Sequence, residues 1–328
     1  MLRNDPVLVN DWHPVATPDQ FDEQPILSVR LLGEDLVLWK MDGQYHAWRD
    51  LCVHRGAKLS LGKIVDDCLR CPYHGWTYNQ EGACVHMPAH PSQTPPVKAR
   101  VKRYQLQERY GLLWVCLGEP ANDIPPFPED AQPEFVTAVC EPARHVQAHG
   151  PRLVENFLDA AHFPYVHAGV LGDPEHPEIG DFQVRIGPDG VESDPIEVYQ
   201  PDPFGGTAGL VHYTYHAYRP LTAHFSKSVG EGSFGLMLAI TPHDELDSTG
   251  WFIIAAAQTD EITDSAALKT IYSPRILRIF EEDRVVVESQ RPELLPLDLQ
   301  AELHLRSDRV AIAYRTWLRQ LGLSFGVA

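Results

Sequence analysis

Two short cysteine–histidine motifs constrain this chain more than any other feature of its sequence. A C-x-H motif occupies residues 52–54 and a C-x2-H motif occupies residues 71–74, with sixteen residues between them. Thiolate and imidazole groups both bind metals, and four such groups can hold a zinc ion or an iron–sulfur cluster. Each motif contributes one ligand of each kind, so the sequence predicts two loops that hold one metal centre between them.

The order of the ligands distinguishes zinc from iron. A structural zinc site usually groups cysteine with cysteine and histidine with histidine, whereas each loop here offers one of each. Two histidines that replace two cysteines on one iron of a [2Fe–2S] cluster raise its reduction potential, which is the Rieske arrangement. We therefore predict a Rieske [2Fe–2S] cluster, with a structural zinc site as the alternative, held by Cys52, His54, Cys71 and His74.

Two further cysteines repeat parts of this pattern. Cys68 forms C-x2-C with Cys71, but a site built on that pair would leave the two histidines unexplained. Cys84 begins a second C-x-H motif, and no C-x2-H motif follows it. We interpret Cys68 and Cys84 as small, partly buried residues that bind no metal.

Composition limits the function classes that are open to the chain. Its 328 residues allow two domains, and its net charge of −18 disfavours nucleic-acid binding, which needs clustered lysine and arginine. Residues 1–6 lack the apolar segment of a signal peptide. No apolar run approaches the roughly 18 residues of a membrane span, and six cysteines in so long a chain do not indicate a disulfide scaffold. We expect a cytoplasmic protein that binds neither nucleic acid nor membrane.

Short strand patterns fill the first third of the sequence. They occur at residues 7–9, 26–32, 35–40, 45–48 and 111–117, with an Asp-Gly hairpin turn at 42–43. This pattern predicts an antiparallel β domain, in which Trp48, Trp76 and Trp114 belong to the core. A proline-rich connector at 118–129 marks a domain boundary. We expect a Rieske domain over 1–120 and a second domain over 121–328.

The second domain combines strand patterns with long helices. Strands are predicted at 137–140, 145–148, 182–186, 210–218, 234–241 and 251–259. Helices are predicted from about residue 153, over 266–290 and over 306–321. The predicted fold class is therefore α+β.

A second candidate metal site lies in the first of these helices. Asn156, Asp159 and His162 recur every three residues and would share one helical face. His162 and His167 are five residues apart, about 140° around an ideal helix. Both can reach one ion only if the helix bends or ends between them, as Pro164 would allow. Two histidines and a distant carboxylate would form the 2-His-1-carboxylate triad of non-haem Fe(II), with open positions for O2 and substrate.

The residues alone do not determine which carboxylate completes that triad. The segment 280–290 offers Glu281, Glu282 and Asp283, and each has an apolar neighbour at helical spacing. Periodicity leaves the choice among the three open.

In combination, C-x-H/C-x2-H and N-x2-D-x2-H-x4-H make the chain resemble the Rieske non-haem iron oxygenases over nearly its whole length. Within that family it is similar to the short, α-subunit-only monooxygenases and demethylases. It is most similar to the saxitoxin-pathway Rieske oxygenases, which hydroxylate a tricyclic guanidinium alkaloid. The segments that carry the resemblance are 71–76, 87–91, 108–118, 162–167 and 307–318.

The resemblance implies an N-terminal Rieske domain and a C-terminal helix-grip (START-like) catalytic domain. It also implies that Asp283 is the third ligand of a mononuclear Fe(II), beside His162 and His167. Members of the family commonly form homotrimers. In such a trimer, electrons would pass from His74 of one subunit to His162 of the next through Asp159, since a carboxylate can accept the N–H groups of two imidazoles. Asn156 is a further candidate next to the iron.

The activity implied by the resemblance is the hydroxylation of a C–H bond of a small molecule, such as a heterocyclic or alkaloid-like compound. O2 is the oxidant. Electrons come from NAD(P)H through a separate reductase, with a ferredoxin, a flavin reductase or both as partners. The chain has no nucleotide-binding fingerprint of its own.

Four other functions are consistent with the sequence: two other oxygenase reactions and two functions without catalysis. N- or O-demethylation would follow hydroxylation of a methyl carbon, and a ring dioxygenase would add both oxygen atoms. A Rieske electron carrier fused to a ligand-binding domain would have no catalysis, and a zinc-stapled binding module would have no iron. The sequence does not determine which residues line the substrate pocket. Five aromatic residues could line it or could equally belong to the core: Tyr213, Tyr215, His216, Phe225 and Trp251.

Overall fold

A computed structural model describes residues 5–203, 207–229 and 232–328. Residues 1–4, part of the segment in which no signal peptide is expected, lie outside the described residues. The chain divides into two compact units, Met1–Asp123 and Ile124–Ala328. No helix in the described ranges is long and apolar enough to cross a membrane.

The first unit consists of two antiparallel sheets. Its elements are α1 (Pro6–Val9), β1 (His13–Ala16), α2 (Gln20–Glu23), β2 (Ile26–Leu31), β3 (Glu34–Met41), β4 (Gln44–Arg49), β5 (Lys63–Val65), β6 (Cys68–Arg70), β7 (Thr77–Tyr78), β8 (Cys84–His86), β9 (Arg103–Arg109) and β10 (Leu112–Cys116). The larger sheet has the order β1-β10-β9-β4-β3-β2, and the smaller has the order β5-β6-β7-β8. The smaller sheet supports both motif-bearing loops, because one loop joins β4 to β5 and the other joins β6 to β7.

The sequence predicts β2, β3, β4 and β10 of this unit but not β1, α2 or β5 to β9, and it makes one error at the start. Residues 7–9 are predicted as a strand, but they belong to the helix α1. The Asp5 carboxylate accepts hydrogen bonds from the Val7 and Leu8 backbone N–H groups, and Pro6 stands in the first turn, where its missing N–H costs nothing. The predicted Asp42-Gly43 turn is confirmed: both residues have positive φ, at 49° and 77°, and join β3 to β4.

The second unit is an antiparallel sheet with helices packed on it. Its elements are β11 (Phe135–Val146), α3 (Gly150–Phe157), α4 (Phe163–Val166), β12 (Val184–Gly187), β13 (Gly190–Ser193), β14 (Ile196–Gln200), β15 (Gly209–Arg219), β16 (Thr222–Val229), β17 (Gly232–Asp244), β18 (Asp247–Ala257), α5 (Ser265–Ser289) and α6 (Arg309–Leu321). Short 3-10 turns lie at Pro128–Ala131 and Arg306–Asp308.

The main path of this sheet runs β11-β18-β17-β16-β15-β13-β12, and β14 also pairs with β15. The long helix α5 packs against β11, and α3 contacts β16 and β17. The two predicted C-terminal helices are confirmed, and so is the α+β fold class. The strands β13, β14 and β16 were not predicted from the sequence.

Candidate metal centres and substrate cavity

The two cysteine–histidine loops have the same backbone design. In the first, the Cys52 N–H donates to the Ala57 carbonyl at 2.8 Å, and the Gly56 N–H donates to the Cys52 carbonyl at 2.9 Å. In the second, the corresponding bonds are Cys71 to Trp76 at 2.8 Å and Gly75 to Cys71 at 3.2 Å. Each loop thus carries its cysteine at the first position and a glycine at the fifth.

Both glycines have positive φ, +73° at residue 56 and +69° at residue 75, a conformation that other residues adopt only at a cost. Gly75 is more tightly confined, because a Cβ there would lie 2.9 Å from Cγ of Pro88. At Gly56 the nearest atom to such a Cβ is 3.6 Å away.

The loops bury both sulfur atoms, whereas the His54 ring is half-buried and the His74 ring is exposed. Cys52 and Cys71 are each 2% exposed and belong to one core cluster with Tyr78, whose hydroxyl lies 3.1 Å from the Cys52 sulfur. The ring centroids of His54 and His74 are 4.6 Å apart, and His74 is exposed. The four predicted cluster ligands therefore face one another across the two loops.

The surroundings of these ligands fit an iron–sulfur cluster. Burial raises the pKa of the Cys71 thiol, and its hydrogen-bonding contact with Cys52 adds to that rise, while backbone N–H groups of Tyr73 and His74 oppose it. N–H groups aimed at a sulfur stabilise its thiolate form. Among the described residues no hydrogen-bond partner reaches the buried Nδ1 of His54, as expected for a nitrogen that binds a metal.

The sequence predicts Trp76 as a core residue, and the structure gives it a contact with a candidate ligand as well. It is only partly buried, and its ring stacks on His54 with 4.5 Å between centroids and 4° between planes. This contact fixes the plane of one candidate ligand. Cys68 and Cys84 lie outside the two loops: Cys68 is half-buried on β6 and Cys84 is buried on β8.

The second candidate metal site is built on a broken helix. The sequence predicts one helix in which Asn156, Asp159 and His162 share a face, but α3 ends at Phe157 and α4 begins at Phe163. The prediction of a single face is therefore wrong, and the break lies before Pro164, which stands in the first turn of α4. His162 and His167 flank the four residues of α4, so both rings can point to the same side.

Asp159 stabilises the connection between the two helices. Its Oδ1 accepts the Ala161 N–H at 3.0 Å, and its Oδ2 accepts the His162 N–H at 3.2 Å. The same Oδ2 lies 2.9 Å from Nδ1 of the His162 ring. One carboxylate thus shapes the turn and orients the imidazole, leaving Nε2 of His162 directed at the site.

His162, His167 and Asp283 converge on one point. Nε2 of His162 and Nε2 of His167 are 3.3 Å apart, and Asp283 Oδ1 lies 3.0 Å from His167 and 3.3 Å from His162. Their potential ligand atoms all lie within 4.8 Å of one another, close enough to hold one metal ion. The buried Asp283 projects from α5, and Asn156 Nδ2 donates to its Oδ1 at 3.3 Å.

The charges of His162 and Asp283 shift each other's pKa. Burial disfavours the protonated form of His162, but hydrogen bonds and charges from Asp159 and Asp283 outweigh it and raise the pKa of His162 to about 9. Burial acts in the opposite sense on Asp283, and the two histidines outweigh it and lower the pKa of Asp283 to about 2. A bound cation would replace the proton that these groups share, so the donor set fits a divalent metal.

The sequence offers Glu282 as an alternative to Asp283 for the third metal ligand. In the structure Glu282 instead contacts the other side of the His167 ring. Its Oε2 lies 2.8 Å from Nδ1 of His167, and Arg278 donates to its Oε1 at 3.0 Å. A carboxylate on the far nitrogen of a metal-binding imidazole fixes the ring and makes it more basic. Periodicity could not reveal this role, because it depends on which way the His167 ring faces.

A cavity lies beside the triad, bounded by α3, α5 and the inner face of the sheet. Its cavity volume is about 70 Å³. Its wall is mostly aromatic and aliphatic, including Phe157, Phe163, Tyr213, Phe225 and Phe234. Of the aromatic candidates from the sequence, Tyr213 and Phe225 line this cavity, whereas Tyr215, His216 and Trp251 do not.

His162 stands between this cavity and a second depression. The second one is open and polar, and its lining includes Asp159, His162, Arg152, Glu302 and Ser307. One imidazole therefore borders both an apolar chamber and the surface of the second unit.

Comparison with known protein families decides what these two centres are. Residues 11–105 match the family model of the Rieske [2Fe-2S] domain, and residues 146–323 match that of the vanillate O-demethylase oxygenase C-terminal domain. The chain is a Rieske non-haem iron oxygenase. As a member of this family it uses a [2Fe–2S] cluster, mononuclear iron, O2 and electrons from a separate reductase to hydroxylate a C–H bond.

Two Pseudomonas putida enzymes are similar to this Rieske oxygenase along most of their length. Methylxanthine N1-demethylase NdmA is 35% identical over 94% of this chain and 88% of its own, and methylxanthine N3-demethylase NdmB is 29% identical over 99% and 92%. The solved structure of Pseudomonas putida CBB5 NdmA with caffeine matches with a TM-score of 0.78 at 32% identity, covering 95% of this chain and 90% of that one.

A third Pseudomonas putida protein, the oxidoreductase NdmD, matches this oxygenase over a shorter stretch. It is 39% identical over 38% of this chain and 21% of its own length. The monooxygenase and demethylase branch expected from the sequence is confirmed by these relatives. The expected similarity to saxitoxin-pathway enzymes stays a prediction.

Proposed function

We propose that this Rieske oxygenase is an N-demethylase of planar, N-methylated heterocycles. The observation that carries the proposal is the aromatic cavity next to the three convergent residues His162, His167 and Asp283. Full-length similarity to two methylxanthine demethylases supports this substrate class. The chemistry is hydroxylation of the methyl carbon, which the sequence analysis gives as an alternative to simple hydroxylation.

The proposed ligands are those brought together in the two units. Cys52, His54, Cys71 and His74 would hold the [2Fe–2S] cluster, and the triad would hold the mononuclear iron. When bound, that iron supplies the activation of O2 for attack on the C–H bond. Asp159 and Glu282 orient the two imidazoles by contacting their Nδ1 atoms. Both Nε2 atoms therefore point towards Asp283, where the iron would bind.

The cavity residues would position the substrate and exclude water. Phe157 stacks on Phe225 with 5.3 Å between ring centroids, and Tyr213 makes edge contacts with Phe163 and Phe225. Flat aromatic walls of this kind suit a flat ring, because ring faces and edges attract one another. Hydroxylation of the N-methyl group consumes O2, two electrons and two protons and releases water. The C–N bond of the resulting N-hydroxymethyl group then breaks, which leaves an N–H on the ring and releases formaldehyde.

Electrons would enter the second unit at Asp159. His162 borders the open depression as well as the cavity, and Asp159 lies on the depression side of it. His74, on the cluster, is exposed and could meet this surface in a neighbouring copy of the chain. We infer a homotrimer with electron transfer from His74 through Asp159 to His162 of the next subunit, and a flavin reductase, with or without a ferredoxin, as the donor to the cluster.

O-demethylation is the second candidate. The family model that matches residues 146–323 is named for vanillate O-demethylase, and hydroxylation of an O-methyl carbon releases formaldehyde in the same way. Ring dihydroxylation differs from both, because it would keep the methyl group and add both oxygen atoms of O2.

The test is product analysis with the purified, iron-loaded enzyme, a Rieske-type reductase and NAD(P)H. Mono- and dimethylated heterocycles and methoxyarenes are compared under 18O2, with Cys52→Ser as the matched variant that cannot hold the cluster. Formaldehyde release in step with N-demethylated product supports the proposal. Formaldehyde release from methoxyarenes alone would show that the enzyme is an O-demethylase instead. A diol that carries two labelled oxygen atoms, or a colourless zinc protein, would overturn it.

A further inference from the structure

A short basic segment lies on the surface of the first unit, in a chain whose net charge is −18. Residues 98–103 contain no acidic residue and four exposed cations: Lys98, Arg100, Lys102 and Arg103. Within residues 5–203, 207–229 and 232–328, none of their charged groups has a carboxylate within 4.0 Å. Arginines of the second unit, such as Arg152 and Arg315, pair with carboxylates instead. The basic segment therefore presents positive charge that its own surroundings leave uncompensated.

The two arginines of the basic segment are held in place by neutral groups. Nη1 of Arg100 donates to the Glu81 carbonyl at 2.9 Å, and Nη1 of Arg103 donates to the Gln80 carbonyl at 3.5 Å. A backbone carbonyl orients a guanidinium group without cancelling its charge. Because both side chains are already oriented, a partner that binds them loses less side-chain freedom on docking.

The basic segment packs on the core that contains the two cluster cysteines. Its inward-facing residues, Ala99 and Val101, are 6% and 3% exposed and belong to the same buried cluster as Cys52 and Cys71. The Ala99 carbonyl also accepts the Cys84 N–H at 2.8 Å, which ties the segment to the sheet that supports the motif-bearing loops. A redox partner bound to the outer face of the segment would therefore stand close to the cluster site.

A depression beside the basic segment could receive side chains of such a partner. Its volume is about 510 Å³, and its lining includes Arg100, Arg103, His46 and Trp48. Among the residues that the structure describes, Glu81 is the only acidic one in this lining. The depression therefore carries more positive than negative charge, and guanidinium groups bind carboxylates through strong, charge-assisted hydrogen bonds.

We propose that the basic segment is the docking surface for the electron donor of this enzyme, a protein with acidic residues around its own redox centre. The inference rests on the proposed function, since it names the surface at which the donor to the cluster binds. At each encounter one electron passes from the reduced centre of the donor to the oxidised [2Fe–2S] cluster, and no bond forms or breaks. The net negative charge of the chain repels an acidic donor elsewhere, so this surface would also select its orientation.

The experiment follows reduction of the cluster by stopped-flow absorbance in the iron-loaded enzyme, without substrate and without O2. The probe is a photoreduced plant-type [2Fe–2S] ferredoxin, an acidic protein whose potential lies below that of Rieske clusters. It is compared with the same ferredoxin after its carboxylates have been converted to neutral amides. Both are mixed with wild type and with the double variant Lys98→Gln/Lys102→Gln. The matched control is Lys269→Gln/Arg319→Gln, which removes the same amount of charge from α5 and α6.

We expect the acidic ferredoxin to reduce wild type and the control faster than its amidated form does. At low salt it should reduce Lys98→Gln/Lys102→Gln about 3- to 10-fold more slowly than wild type, because steering by charge is lost. The difference should vanish near 1 M salt, where the Debye length is about 3 Å. Reduced riboflavin, a small neutral reductant, should reduce all three proteins at the same rate.

Equal rates of the acidic and the amidated ferredoxin with wild type would overturn the inference, as would equal rates for the double lysine variant and the control. A slower riboflavin reaction in the double lysine variant would trace the effect to the cluster and exclude a docking role. A smaller oligomer in that variant would assign the surface to a second copy of the chain. Binding of a DNA duplex that the variant loses would assign it to nucleic acid, and both results exclude the donor.

The cluster spectrum and melting temperature show whether each variant is folded. Lys98→Gln alone should lose part of the rate, which keeps the test valid if the double variant does not fold, and Lys98→Arg/Lys102→Arg should keep the wild-type rate. The two proposals can fail separately. Formaldehyde from N-methylated rings with equal reduction rates in all variants removes the docking surface alone. Reduction that depends on the two lysines, with no formaldehyde from any N-methylated ring, removes the N-demethylase assignment alone.

Discussion

Glu282 and Asp283 are neighbours in sequence, yet they contact opposite nitrogens of one imidazole. Glu282 lies 2.8 Å from Nδ1 of His167, and Asp283 lies 3.0 Å from its Nε2. Adjacent helical residues point about 100° apart, so α5 places one carboxylate on each side of the ring. A single dipeptide therefore supplies both the carboxylate of the candidate triad and the carboxylate that supports His167.

Removing the charge of Glu282 should loosen the mononuclear iron. Glu282→Gln is expected to weaken iron binding about 10- to 100-fold, because the His167 ring loses the carboxylate that orients it. The [2Fe–2S] spectrum should stay unchanged. Iron affinity is measured by chelator competition, with Glu281→Gln as the matched control, since Glu281 pairs with Arg284 and Arg144 instead. Equal affinities in the two variants would contradict this role.

Asp159→Asn should separate metal binding from turnover. An amide can still accept the Ala161 N–H, so both metal centres should remain loaded, but it cannot provide the negative charge between two imidazoles. We expect near-complete loss of product formation and slow reoxidation of the reduced cluster in a single turnover. Asp173→Asn is the control, because Asp173 accepts a backbone N–H from Glu175 without contacting the triad. A fully active Asp159→Asn enzyme would exclude the bridge.

Asp283→Ala or His162→Ala should remove only the mononuclear iron. Since a [2Fe–2S] cluster carries two irons, metal content should fall from about three to about two per chain. Visible absorbance and the EPR signal of the reduced cluster should be retained. Loss of the cluster signal from either variant would contradict the assignment of the triad to a separate centre.

The two loop glycines should differ in how much they tolerate a methyl group. Gly56→Ala should cost roughly 1–2 kcal/mol, the usual penalty for a left-handed backbone in an L-residue. Gly75→Ala should cost more and release the cluster, because its Cβ would meet Cγ of Pro88 at 2.9 Å. Melting temperature and cluster absorbance are measured, with Gly187→Ala as the control, where a Cβ meets nothing within 4 Å. A larger loss of stability in Gly56→Ala than in Gly75→Ala would argue against a clash with Pro88 as the cause.

Lys227 should make the stability of the protein depend on pH. The folded protein releases its proton near pH 7, whereas the unfolded chain holds it to about pH 10.5, so the unfolded state binds more protons in this window and stability rises with pH. Lys227→Met removes the buried ammonium, and its advantage over wild type should be largest below pH 7 and shrink towards pH 10. Denaturant titrations at several pH values measure this difference. Lys227→Arg, which cannot release its charge, should not recover at high pH.

Residues whose chemistry depends on local spacing could be predicted from the sequence. Cys52 and Cys71 begin short loops, and His54 and His74 follow within three residues, so the geometry of each half-site is almost entirely local. The same holds for the Asp42-Gly43 turn. Such features need no knowledge of distant contacts, and the structure brings each of these pairs together as expected.

Features that depend on distant contacts were missed or left open. Asp283 could not be chosen over Glu282 by periodicity, because both have apolar neighbours at helical spacing and only the position of His167 separates them. The break after Phe157 was missed because Asp159 forms its turn through hydrogen bonds that compete with the helix. β16 was missed because its cavity face contains Lys227, which interrupts the apolar alternation that predicts a strand.

The triad joins parts of the chain that are far apart in sequence. His167 and Asp283 are separated by 116 residues, and the intervening segment includes every strand from β12 to β18. An iron coordinated by both would act as a removable cross-link that closes this long loop, restricting the unfolded chain as well as serving catalysis. Iron supply would then set how long the enzyme survives in addition to how fast it works, because ligation that occurs only in the folded state stabilises that state in proportion to the logarithm of free metal.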